Sequence, residues 1–179
     1  MEKLGLAEWP PIRLSWSQKL AAFWSISWPA WFGALLIVFL WGAFLPVGDL
    51  QSQLPVLSFV ATGGSILAQI LLVDRLFQKE YQSFRIAVVR PDGSITSKLS
   101  GNELARVALR IVLPQMLFFV AVVGLLIFTN DRLDTEQIKA VDGLMRFGRL
   151  FVVGPYTLSF VVGESYRGFR VQAYGRRLV

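Results

Sequence analysis

Hydrophobic and polar residues segregate along this chain into long blocks. From Phe23 to Val47 there is no charged residue, a run long enough to cross a hydrocarbon core of about 30 Å with some tilt. A second uncharged run, Pro55 to Val73, stops at Asp74 and Arg75. A third, Ile111 to Thr129, follows Arg106 and Arg110, which lie one turn apart on one helical face. The fourth, Leu150 to Gly163, is too short alone, and starting it at Leu144 gives enough length but includes Arg146 and Arg149. The pattern predicts four transmembrane helices over about residues 23–47, 55–73, 111–129 and 147–163, the last kinked at Gly154 and Pro155. Residues 13–24 mix Arg, Ser, Gln and Lys with Leu, Trp and Phe, which suits an amphipathic helix lying in the interface before the first crossing. The first run is expected to remain as an anchor, since it is too long for a signal peptide and lacks a small-x-small cleavage site.

Displacing the chain against itself by 85 residues, without a gap, superimposes twelve identical pairs, where shared composition would supply roughly five. Leu14, Ser15, Ile26 and Pro29 fall on Leu99, Ser100, Ile111 and Pro114, and Tyr81, Phe84 and Arg85 fall on Tyr166, Phe169 and Arg170. The expectation is a tandem duplication, with repeat 1 at about residues 14–94 and repeat 2 at about 99–179, inside a single membrane domain covering 1–179. A unit with two crossings returns the chain to its starting side. Both hairpins then share one orientation, and their pseudo-symmetry axis runs along the membrane normal.

Charge gives the direction of insertion. The segment from Asp74 to Arg110 carries seven basic and four acidic residues, the tail from Glu164 four arginines against one acid, and Asp131 to Asp142 two basic against four acidic. Basic segments on one side and acidic loops on the other place both termini in the cytoplasm, with the bacterial inner membrane as the expected location. Arg146 and Arg149 are exceptions at the outer mouth of the fourth run. The formal net charge of +6 is thereby accounted for without nucleic acid. With 54 % hydrophobic residues the chain has too little polar surface for a soluble globule. Absence of Cys and His removes disulfides, thiolate sites, the commonest metal ligand and the usual neutral-pH base. The expectation is a protein with no catalytic residues, no metal and no cofactor.

Candidate interaction residues remain. Trp24, Trp28 and Trp31 form one stripe of the first helix and read as an interfacial belt or a partner-facing surface. Ala61, Gly64, Ser65 and Ala68 offer a small face for lateral helix packing. Gln69, Gln115, Tyr156 and Ser159 lie at membrane depth and are expected to face the bundle. The β-branched run from Arg85 to Arg90, followed by Pro91-Asp92-Gly93, predicts a short cytoplasmic β-hairpin. The run and its counterpart after Phe169 are expected to pair beneath the bundle, leaving Tyr81, Phe84, Arg85, Tyr166, Phe169 and Arg170 as a cytoplasmic dock. Basic loops there also suit anionic lipid headgroups.

The stretch from Phe84 to Arg110, with its short strand, Asp-Gly turn and arginine-bearing approach to an apolar run, resembles a part of RDD-type membrane proteins over about a sixth of the chain. The intramembrane Arg and Asp pair that mark that family have no counterparts in the first two runs, so no role is carried over. The expected architecture is an all-α membrane protein of four transmembrane helices in two tandem, like-oriented hairpin repeats, with a short cytoplasmic β-hairpin. The expected function is a non-catalytic subunit or scaffold of a membrane protein complex, with lipid and other membrane subunits as partners. A small transporter or channel acting as a homo-oligomer is the alternative.

Overall fold

The computed structural model describes residues 9–43, 47–129 and 134–176. Expectations resting on the first eight residues, on 44–46, on 130–133 and on 177–179 lie outside the described residues. The chain is mostly helical and carries one small antiparallel sheet.

After the two-residue strand β1 (Pro11–Ile12), helix α1 runs from Trp16 to Ala43. It starts at Ser15, whose backbone N–H donates to Gln18 Oε1 at 2.9 Å. Helix α2 covers Val47–Leu72 and the single turn α3 covers Arg75–Gln78. Strands β2 (Phe84–Val89) and β3 (Ile95–Thr96) precede helix α4 (Gly101–Thr129). Helix α4 starts as α1 does: the Ser100 backbone N–H donates to Glu103 Oε2 at 2.8 Å, so a residue three positions on satisfies the donor ahead of each helix. Each of these two helices contains one proline, Pro29 or Pro114. The expected separate interfacial helix over 13–24 is not formed, since α1 continues unbroken from its cap at Ser15.

Two helices, Trp16–Leu40 within α1 and Gly101–Thr129, are long and apolar enough to cross a membrane, and Val60–Leu72 is a shorter apolar stretch. They leave large apolar side chains outward: Leu71 is 82 % exposed and Phe128 78 %. A lipid environment solvates such a surface, whereas water does not.

The last helical run begins earlier than the apolar pattern predicts. Asp134 caps α5 (Thr135–Gly148) through a reciprocal pair of bonds with Gln137. A π turn follows over Arg149–Val153, then α6 (Gly154–Thr157) and a 3-10 turn over Leu158–Phe160. The expected disruption at Gly154-Pro155 takes this form. Pro155 has no N–H to extend the α ladder, and the Gly154 N–H bonds back to Arg149 O, one residue further than in an α-helix.

Strands β4 (Ser165–Tyr166) and β5 (Phe169–Gly175) complete the sheet, in the order β1-β5-β2-β3 with β4 also on β5. The β2–β3 hairpin turns at Pro91-Asp92-Gly93, where Gly93 holds φ at 78°, a left-handed conformation that favours glycine. The two Phe-Arg segments pair as expected, antiparallel from Phe84 opposite Gly175 to Val89 opposite Arg170, with Ala87 opposite Gln172. The expected hairpin and paired segments belong to a sheet of five strands, enlarged by the two-residue strands β1 and β4, which are too short to leave a periodic trace. Phe84, Ile86, Val88, Phe169, Val171 and Ala173 face the helices and join Phe23, Ile26, Phe77 and Ile111 in one core.

Candidate functional site

Helices α1 and α2 lie side by side, and small residues leave a groove between them. A Cβ placed on Gly33 or on Gly64 would meet nothing within 4 Å. The groove encloses about 310 Å³ and is lined by Pro29, Ala30, Gly33, Ala61, Gly64 and Ala68, with Ile37, Val60 and Leu71 among its larger walls. Three members of the expected packing face therefore border open space. Ser65 does not join them: it is buried, its hydroxyl donating to Thr62 O at 2.8 Å and accepting from Arg149 Nη1 at 3.0 Å.

That contact opens onto a buried polar layer. The Arg149 Nη1 also reaches Thr62 O at 3.4 Å. One turn along α2, Gln69 Oε1 accepts from Gln115 Nε2 at 2.9 Å, and the same nitrogen donates to Ile111 O at 2.9 Å. Both glutamines face inward as expected, since hydrocarbon offers their amides no partner. Tyr156 does not: it is 54 % exposed and meets the Phe160 ring edge-on. Ser159 is half-buried and accepts from Lys19 Nζ at 2.7 Å.

The tryptophan stripe is formed. Trp24 stacks on Trp28 at 6.1 Å and Trp28 meets Trp31 at 6.2 Å. It is partly covered from within the chain: with Ser27 and Leu150 the three rings line a slot of about 90 Å³, and Phe151 lies 5.9 Å from Trp24.

On the sheet, the expected dock is corrected. Phe84 and Phe169 are 2 % and 3 % exposed, and Tyr81 is buried, so these rings hold the sheet to the helices instead of meeting a partner. Tyr81 stacks on Phe84 at 4.4 Å, and Tyr166 on Phe169 at 4.6 Å. The Tyr81 hydroxyl meets Ser25 Oγ at 2.9 Å, and the Arg110 guanidinium lies 4.7 Å over the Tyr166 ring. Burial pushes both phenols above their ordinary pKa, partly offset by Ser25 at one and Arg110 at the other. Arg85 is half-buried and Arg170 exposed. Both sit on inner strands of the sheet, so the strand edges expected to stay open there are occupied.

Where the hairpin meets α4, Arg90 and Glu103 form an ion pair. The Arg90 hydrogen bond, helped by the Ser100 backbone, brings the Glu103 carboxyl from 4.5 down to about 2 despite partial burial. Asp92 in the turn is lowered chiefly by the Ser94 hydroxyl and backbone.

No protein family, no curated protein and no solved structure matches this chain. The residue that sequence reading undervalued is Arg149. Its signal is that the fourth apolar run reaches crossing length only by including it, and a charge in such a run is expected to find partners inside the protein.

Proposed function

We propose that the chain is an integral membrane bundle of four crossings, built as two like-oriented hairpins over about 14–94 and 99–179. On this reading both termini and the sheet are cytoplasmic, and basic side chains such as Arg167 and Arg170 lie near anionic headgroups of a bacterial inner membrane. The protein acts as a non-catalytic accessory subunit, and a transmembrane helix of a partner protein seats in the α1–α2 groove.

The observation that carries the docking is the groove itself. Between apolar helices in lipid, association depends on close backbone approach and packing rather than on hydrophobic exclusion. A groove bordered by Gly33, Ala61, Gly64 and Ala68 and filled by none of the described side chains is suited to that approach.

Support for the paired hairpins comes from contacts that recur 85 positions apart. The Ser15–Gln18 bond has its equivalent at Ser100–Glu103, the Tyr81–Phe84 stack at Tyr166–Phe169, and the Glu80–Arg85 strand bridge at Ser165–Arg170. Burial recurs too: Ile26 with Ile111, Val73 with Leu158 and Leu76 with Val161 are each at most 1 % exposed. Ala87 and Gln172, equivalent under that offset, stand directly opposite each other in the sheet. A local two-fold through that pair, perpendicular to the strands, would exchange the hairpins while keeping their direction.

Two experiments test the reading. Reporter fusions at Gly48 and Asp134 are expected on the same, outer side of the membrane, and opposite sides would overturn the four-crossing topology. Mild-detergent purification from the native membrane should retain a partner subunit that Gly64→Leu, filling the groove, releases without lowering the bundle's own melting temperature; release by no groove variant would end the docking reading. The transporter alternative has less support, because Gln69 and Gln115 are buried and bonded to each other instead of lining an open path. Solute flux in liposomes containing this protein alone would promote it.

A further inference from the structure

Arg149 is the one charged side chain among the described residues that is buried, at 3 % exposure. Both of its hydrogen bonds leave from Nη1, to Ser65 Oγ and Thr62 O, while Nε is buried without a partner. No described carboxylate pairs with it. Its contacts on α2 are a hydroxyl and a backbone carbonyl, those of Ser65 and Thr62, and Arg146, one turn earlier on its own helix, adds positive charge. A lysine so placed could shed its proton, whereas a guanidinium stays charged at every accessible pH. Among the described residues no negative group balances that charge.

We propose that Arg149 is the centre of an oxyanion-binding site, taking a carboxylate or phosphate group from outside the chain. Ser65 and Thr62 hold Nη1 and so orient the guanidinium, leaving Nε and Nη2 without a hydrogen bond among the described residues. Two parallel N–H groups on the Nε–Nη2 edge match two oxygens of one carboxylate or phosphate, a pairing that a halide cannot complete. The site rests on the reading of this segment as intramembrane but does not depend on the groove or on any partner, and reporter topology decides that reading separately.

The test uses the full chain purified in an uncharged detergent, with melting followed by tryptophan fluorescence; Trp24 lies 5.9 Å from Phe151, two residues beyond Arg149. Sodium acetate and inorganic phosphate are titrated against chloride at constant ionic strength. In a parallel arm, nanodiscs of phosphatidylcholine alone are compared with nanodiscs containing phosphatidylglycerol. A free oxyanion or the anionic lipid is expected to raise wild-type melting by several degrees where chloride does not; a response to the lipid alone assigns the source to a headgroup, and a response to the free ions assigns it to a solute. Arg149→Met should abolish the response, and Arg149→Lys, which keeps charge without the two-pronged edge, should retain a small part of it. Without oxyanion, Arg149→Met should melt at or above wild type, since an uncompensated buried charge has been removed. Equal shifts for wild type and Arg149→Met, equal shifts for chloride and the oxyanions, or an Arg149→Met variant that melts lower or fails to fold would each overturn the proposal.

Discussion

The pair α1–α2 and the pair formed by α4 with the run from α5 to α6 carry opposite side-chain volumes at positions 85 residues apart. In the first, Gly33, Ala34, Ala61, Gly64 and Ala68 line the space beside α1 and α2. The residues 85 positions later are Phe118, Phe119, Arg146, Arg149 and Val153. Phe118 reaches within 3.9 Å of where a Cβ on Gly148 would lie, and Arg149 crosses to α2 to bond Ser65 and Thr62. One half is lined with small residues and leaves a groove, while the other is occupied by the chain's own bulky and charged groups. Similar helix frames thus carry different surfaces, and the difference lies in volume and charge rather than in helix length or capping.

Glycines offer the sharpest way to break this comparison. A Cβ on Gly154 would lie 2.0 Å from Phe23 Cζ, and Phe23 is wholly buried with nowhere to shift. Gly154→Ala is expected to cost about 2–3 kcal/mol by overpacking, read as a lower midpoint in denaturant-induced unfolding. Gly64→Ala, where a Cβ meets nothing within 4 Å, should leave the midpoint unchanged or raise it by about 0.5–1 kcal/mol through helix propensity. Equal losses at the two positions would mean that the groove is not open.

Next in size is the amide pair between α2 and α4. Gln69→Leu or Gln115→Leu should each cost about 1 kcal/mol, with a coupling of about 0.6 kcal/mol in a double-mutant cycle. Coupling indistinguishable from zero would mean that the two amides do not depend on each other.

The smallest expected effect compares the two helix caps. At the first, neutral Gln18 accepts from Ser15; at the second, ionised Glu103 accepts from Ser100 and pairs with Arg90. Because the folded pKa of Glu103 is depressed from 4.5 to about 2, its contribution is complete above the higher value and is lost as pH falls through the lower one. At neutral pH Glu103→Gln should therefore cost less than about 1 kcal/mol, as expected for a partly exposed pair. Hydrogen exchange should show acid loosening the Ser100 corner and not the Ser15 corner; loosening of both alike would remove the distinction.

Much of the helical frame was legible beforehand. Uncharged runs marked the apolar helices, Pro91-Asp92-Gly93 marked the hairpin turn, and the repeated Phe-Arg segments marked the two strands that pair. What escaped was side-chain direction. The hydropathy pattern puts Tyr156 inside, yet it points out, and it puts Arg149 at the outer mouth, yet that residue is buried. Both sit in or just after a π turn, where the backbone departs from the α-helical period on which facing is judged. Phe84 and Phe169 were assigned to a dock for a different reason: a strand's pattern separates its two faces but does not say which one a neighbouring helix covers.

By itself the amino-acid sequence determined where the apolar helices run and where the chain turns, because hydropathy, capping and turn chemistry act over a few neighbouring residues. Tertiary structure alone decided that Gln69 meets Gln115, that Ser65 turns away from Gly64 toward Arg149, and that a groove stays open beside α1 and α2. Those outcomes depend on the distance and facing of segments far apart in sequence, which packing sets and local preference does not encode.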